Sequence, residues 1–154
     1  MNIKAIWHRE ISLKDGSKQD LIFQFPEEDL TDEAGCYVFY NRLRKRCKII
    51  YIGRANNILD RLKGQFNSVR LMTNIKKSGK GKKVLMYCTL ELKRGQQLAK
   101  ALNTLEKNLI NHAFSEGHEL LNVHGAKIHY HEINFKGSRI SESLFGRNIL
   151  SPLK

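Results

Sequence analysis

No apolar run in the 154 residues approaches the roughly 20 that a bilayer-spanning helix needs, and the Met1-Asn2-Ile3-Lys4 start has no signal-peptide core. The expectation is therefore of a chain with no membrane role. Cysteine is scarce as well. Cys36, Cys47 and Cys88 are an odd number without metal-ligand spacing, which argues against a disulfide framework and a zinc site and for a reduced, cytoplasmic setting. There is no internal repeat, and the one tryptophan, Trp7, reads as a packing residue or as a surface for stacking a base. Acidic residues are too few to balance the basic ones: 15 Asp and Glu stand against 27 Lys and Arg, leaving a formal charge of +12. Such an excess favours a polyanion through phosphate contacts and counterion release, without choosing among DNA, RNA and an anionic surface. With 41% hydrophobic and 27% charged residues, the chain has the composition of a globular protein, and its length suits one domain with a real core.

What is present is organised around the stretch from Gly35 to Arg61. Gly35-Cys36-Tyr37-Val38-Phe39-Tyr40 and Ile49-Ile50-Tyr51-Ile52-Gly53 are rich in β-branched and aromatic residues. The polar connector between them contains Arg44, Lys45 and Arg46, so the pair reads as an antiparallel hairpin. If the hairpin is symmetric about Arg44, Tyr37 faces Tyr51 and Gly35 faces Gly53. Two phenols then emerge side by side, where glycines leave room for a ligand to approach the backbone. After Arg54-Ala55, Asn56 is positioned to cap a helix with Ile58, Leu59, Leu62 and Phe66 on its apolar stripe and Arg61 beside that stripe. A guanidinium held there can direct its fork of donors at a phosphate.

From Asn67 to Lys83 the sequence is basic and ends in Lys76-Lys77-Ser78-Gly79-Lys80-Gly81-Lys82-Lys83. It reads as a mobile loop, either tracking a phosphate backbone or simply solvated. Val84 to Leu92 is nearly continuously apolar at first and predicts a central strand. The segment from Gln96 to Glu116 is the strongest helix, with Leu98, Leu102, Leu105, Leu109 and Ala113 at helical spacing and Gly117 as its cap. Glu106 is embedded in the apolar side of this helix. A carboxylate there requires a partner, either a metal ion or a nearby arginine. Residues 1 to 25 read as a hairpin about Lys14-Asp15-Gly16-Ser17, outside the core, with an edge that can join a second copy or a partner subunit. Lys127 to Phe135 reads as a further strand bearing His129 and His131, and Gly137 to Lys154 as a basic surface tail.

In Gly35-Cys36-Tyr37 and the intact Tyr51-Ile52-Gly53, followed in order by Arg54, Arg61, Glu106 and Asn122, the chain resembles the GIY-YIG nuclease family. Cys36 stands where the family has Ile, the connector is longer than usual, and neither His nor Tyr stands at Gln65-Phe66. The resemblance covers about Thr31 to Val123. It implies an α+β fold, a small mainly antiparallel sheet flanked by helices, here with an N-terminal β-hairpin extension. The corresponding divisions are residues 1–30 for the extension, 31–124 for the nuclease core, and 125–154 for a C-terminal strand and basic tail.

It further implies a DNA endonuclease that leaves 5′-phosphate and 3′-hydroxyl ends, with Glu106 holding Mg²⁺ (or Mn²⁺) and Asn122 supporting the site. Tyr37 would be the base or the orienter of the attacking water, Tyr51 its support or a phosphate contact, and Arg61 the stabiliser of the phosphoryl oxygens. Gly35, Gly53 and Arg54 complete the motifs. Arg44, Lys45, Arg46, Lys76, Lys77, Lys80, Lys82 and Lys83 would contact the DNA backbone. A restriction-type, phage-borne, mobile-element or repair enzyme fits equally. The competing reading is a module on the same scaffold that binds nucleic acid without cutting, or a subunit of a larger DNA-processing complex.

Overall fold

The computed structural model describes residues 2–121, 130–134 and 148–152, which belong to two compact units, Met1–Leu121 and Asn122–Lys154. In chain order the first unit contains β1 (Lys4–Trp7), β2 (Ile11–Ser12), β3 (Gly35–Leu43), β4 (Arg46–Ala55), α1 (Ile58–Asn67), α2 (Val69–Lys77), β5 (Lys82–Glu91) and α3 (Leu98–Ser115). It is α+β, an antiparallel five-stranded sheet with helices packed against it. β5 lies inside the sheet, with β1 and β2 along one side and β3 on the other, and β4 follows β3 at the far edge. The near-continuous apolar character of Val84 to Leu90 is what an interior strand covered on both faces requires.

The N-terminal residues add to this sheet. The segment expected as one long strand breaks into β1 and β2, both paired with β5. The turn survives as a short hairpin in which Asp15 opposes Phe23 and Gln24 N–H donates to the Lys14 carbonyl. Ile11 and Phe23 are buried in the same core as Tyr37 and Phe39, so residues 1–30 are continuous with the sheet.

One face of the sheet is covered by α1 and α2. Asn57, rather than Asn56, caps α1, its side chain accepting from Asp60 N–H at 2.9 Å. The stripe Ile58, Leu62 and Phe66 then packs on Tyr37, Phe39 and Ile50. Each such side chain contributes about 1.5–3 kcal/mol by burial. The expected mobile loop from Asn67 is largely helical: Ser68 caps α2, which buries Met72 and Ile75 at i, i+3 spacing. Only Ser78 to Gly81 remain as a connection into β5.

α3 lies against β4 and β3. It buries Ala101, Leu102 and Ala113, while Leu98 stays exposed. Gly117, at φ +81°, ends it, with His118 N–H returning to the Ala113 carbonyl at 2.9 Å.

In the second unit β6 (Tyr130–Asn134) pairs antiparallel with β7 (Asn148–Pro152). Of the strand expected from Lys127 to Phe135, Tyr130–Asn134 is present as β6, and the segment read as a basic surface tail contributes β7. Asn122 and His129 lie outside the described residues. Among the described residues, no helix is long and apolar enough to cross a membrane.

Candidate active site

The tyrosine motifs do form a hairpin, but two residues out of the symmetric register. Tyr37 opposes Gly53, Gly35 opposes Ala55, and Phe39 opposes Tyr51. A bulge between Phe39 and Tyr40 then shifts the pairing so that Tyr40 meets Ile49 and Leu43 meets Arg46. Because the offset at the motifs is an even number, Tyr37 and Tyr51 still share a face. They sit diagonally, with ring centroids 6.1 Å apart and planes 17° from parallel.

The glycines therefore serve a different purpose from the one expected. A Cβ on Gly53 would fall 2.5 Å from the Tyr37 Cζ and hydroxyl, so the absence of a side chain is what lets that ring lie across β4. A Cβ on Gly35 would lie 1.8 Å from the Cys88 carbonyl oxygen, so Gly35 admits the β5 backbone. The space is filled by protein, not left for a ligand.

Tyr37 is fully buried, at 0% exposure. Arg61 and Gln65, one helical turn apart on α1, meet it there. The Arg61 Nε approach to the Tyr37 hydroxyl, 3.4 Å, is long, whereas the Gln65 amide lies at 3.0 Å. Arg61 can only donate, so the amide oxygen is the atom that satisfies its surroundings. In that orientation Gln65 Oε1 accepts from the Tyr37 hydroxyl at 3.0 Å and from Arg61 Nε and Nη2 at 3.2 Å. Burial, with the neighbouring Tyr51 phenol, pushes Tyr37 up to about 12 against the opposing pull of Arg61 and Gln65. At neutral pH it is a phenol that donates a proton to a hydrogen bond. The Arg61 guanidinium also interacts with the Tyr51 hydroxyl. Gln65 was not singled out from sequence; its signal is the i, i+4 spacing from Arg61, which puts both on one side of the helix.

The carboxylate arrives from the other face. Arg54 follows Gly53 and is the cross-strand partner of Cys36, so it faces away from Tyr37. Its Nε donates to Glu106 Oε2 at 2.9 Å, with the Glu106 side chain 21% exposed. Burial raises the Glu106 carboxyl above its ordinary value while Arg54 and then Arg61 pull it down. The structure thus joins Tyr37, Tyr51, Arg61 and Gln65 as one cluster and Arg54 with Glu106 as another.

No family model, no curated protein and no solved structure matches the chain.

Among the described residues, no three His, Cys, Asp or Glu side chains cluster as metal ligands. The donor set that is present is one partly exposed carboxylate. It fits Mg²⁺, which is commonly held by one or two carboxylates together with substrate phosphate and retained waters.

The basic residues divide. Arg44, Lys45 and Arg46 are exposed at the β3–β4 turn, and Lys76, Lys77, Lys80 and Lys82 are exposed on and after α2. Lys83 is a correction: it is 8% exposed, its Nζ donates to the Gly79 carbonyl at 2.6 Å, and burial lowers its pKa. It holds the loop and is not free for phosphate.

Proposed function

We propose that this protein is a metal-dependent DNA endonuclease of the GIY-YIG type, hydrolysing a phosphodiester to 5′-phosphate and 3′-hydroxyl ends. The observation that carries this reading is the packing of Arg61 and Gln65 on the paired phenols Tyr37 and Tyr51, with a partly buried carboxylate, Glu106, held by Arg54 one residue along β4 from the Gly53 that Tyr37 crosses. Phosphodiester hydrolysis needs an oriented water, donors for the charged phosphoryl oxygens and a place for a divalent ion.

Arg61 supplies the donors. Its position is fixed by Gln65 Oε1, so little reorganisation is needed when charge builds on the phosphate. Tyr37, a neutral and fully buried phenol in the same network, positions the guanidinium, and orienting the attacking water falls to the less buried Tyr51. Tyr51, stacked on Tyr37 and less deeply buried, is the phenol nearer a substrate. Glu106 would hold the Mg²⁺ (or Mn²⁺), which when bound supplies charge stabilisation at the phosphoryl and leaving oxygens. Arg54, sharing that carboxylate, would release it partly and turn toward the substrate phosphate.

A second reading keeps support from the same ion pair. The Arg54–Glu106 contact at 2.9 Å satisfies the carboxylate without any metal, as in a module that binds nucleic acid and does not cut.

Supercoiled plasmid with Mg²⁺ or Mn²⁺ separates the two. The endonuclease reading expects nicked or linear product with 5′-phosphate ends, abolished by EDTA and by Glu106→Ala, while Glu106→Ala binds DNA as the parent does. Metal-dependent cutting by Glu106→Ala overturns the site assignment. Salt-sensitive binding without cutting on plasmid or branched DNA establishes the second reading.

A further inference from the structure

We propose that the tip of the β3–β4 hairpin is a DNA wedge: Leu43 inserts between base steps of a duplex while Arg44, Lys45, Arg46, Lys80 and Lys82 hold the flanking phosphates. This rests on the endonuclease reading and extends it to how the duplex is deformed.

Leu43 is 52% exposed at the end of β3, opposite Arg46 across a turn made by Arg44 and Lys45, with Arg44 at φ 54°. A lone exposed leucine means little. This one is ringed by cations that, among the described residues, form no ion pair. Its neighbours also assemble into a braced platform. Asn41 Nδ2 donates to the Ser78 carbonyl at 2.9 Å, and Lys83 Nζ to that of Gly79 at 2.6 Å. Gly81, at φ +114°, lies so close to the hairpin that a Cβ would come within 2.6 Å of the Arg42 carbonyl oxygen. These contacts draw Lys80 and Lys82 alongside the tip. One residue below, Arg42 is clamped by Glu10, which also accepts from the Tyr40 hydroxyl at 2.6 Å. A stem fixed from both sides can transmit force to a base step, which a loose loop cannot.

The register of β3 on β5 runs unbroken from Gly35 to Arg42, so the tip is carried on the same rigid strand as Tyr37, ~20 Å away. Apolar wedges of this kind cost a few kcal/mol of unstacking, which the phosphate contacts made by a bent duplex offset.

The test uses the full chain with duplexes carrying 2-aminopurine, whose fluorescence rises on unstacking, moved one position at a time. EDTA prevents cutting during the measurement. The expected result is a rise confined to one base step, at a fixed distance from the cleavage site. Leu43→Ala should return it to the level of free duplex, and Leu43→Met should keep it, with the salt dependence of binding unchanged in both. Leu43 is exposed, so both variants retain the fold, checked by circular dichroism. A rise that survives Leu43→Ala, or no rise in parent protein that binds and later cuts, overturns the wedge and leaves the endonuclease reading standing. Failure to bind duplex overturns both.

Discussion

At the Gly53 end of the β3–β4 hairpin Tyr37 and Glu106 are covered and paired; at the Arg44 end the cations are exposed and, among the described residues, in no ion pair. Tyr37 has no exposed surface and Glu106 is largely covered, and in both burial raises the affinity for a proton. At the tip, by contrast, the cations stand in solvent. In the endonuclease proposed above, one end holds groups whose ionisation is tuned by their surroundings for chemistry, and the other holds charges that only need to meet phosphate. The difference teaches that rate and affinity should be separable by mutation along a single pair of strands.

The largest effect should come from the buried end. Arg61→Ala is expected to lower the single-turnover cleavage rate ~10²–10³-fold, the range for loss of one transition-state donor. Duplex affinity should hardly change. An equal loss in binding and rate would show Arg61 to be an ordinary phosphate contact and collapse the distinction between the ends.

Next in size, replacing Arg44, Lys45 and Arg46 together by Ala should reduce the slope of log K against log salt by about 3, near one unit per phosphate contact. Cleavage of saturated complex should continue. Lys83→Ala sharpens the contrast: its ammonium is bound to the Gly79 carbonyl, so the slope should stay as in the parent while the loop after α2 loosens, read by proteolysis at Lys80.

The smallest effect is on stability. Burial pushes Cys36 from 9.0 and Tyr37 from 10.0 up to about 12. Because the folded values are raised, the unfolded chain loses these protons first. The stabilisation is complete below about pH 9 and declines as pH rises toward 12. Urea midpoints should be flat from neutral pH to that point and then fall, less steeply in Cys36→Ala. A flat profile throughout would mean that the core around the tyrosines is wetter than its geometry.

Much of this was legible because it is local. Helical spacing placed α1 and α3, β-branched runs placed β3, β4 and β5, and Arg61 lay visibly beside an apolar stripe. The register was not legible, since it depends on where a bulge falls, and a symmetric hairpin places Tyr37 against Tyr51 instead of Gly53. The basic character of Lys76 and Lys77 masked the Met72 and Ile75 positions that make α2 a helix. Lys83 reads as one more lysine until its strand position turns it inward. That β1 and β2 join β5 is a pairing across most of the chain, which no local pattern encodes. Whether Asn122 supports the site lies outside the described residues.

The bulge itself has a consequence for how such a protein can change over generations. Ile50 is the surplus residue, opposite no partner and 2% exposed. If Ile50 instead paired with Tyr40, the Tyr37–Gly53 register would carry straight to the tip and close on a three-residue loop; with Ile50 left out of the pairing, Leu43 meets Arg46 and a two-residue turn closes. A strand that absorbs an odd residue in its middle insulates one end from length changes at the other. The tip can be lengthened, shortened or exchanged without dislodging the tyrosine from its glycine, so that, for the endonuclease proposed above, substrate preference is free to drift while the reaction centre is inherited intact.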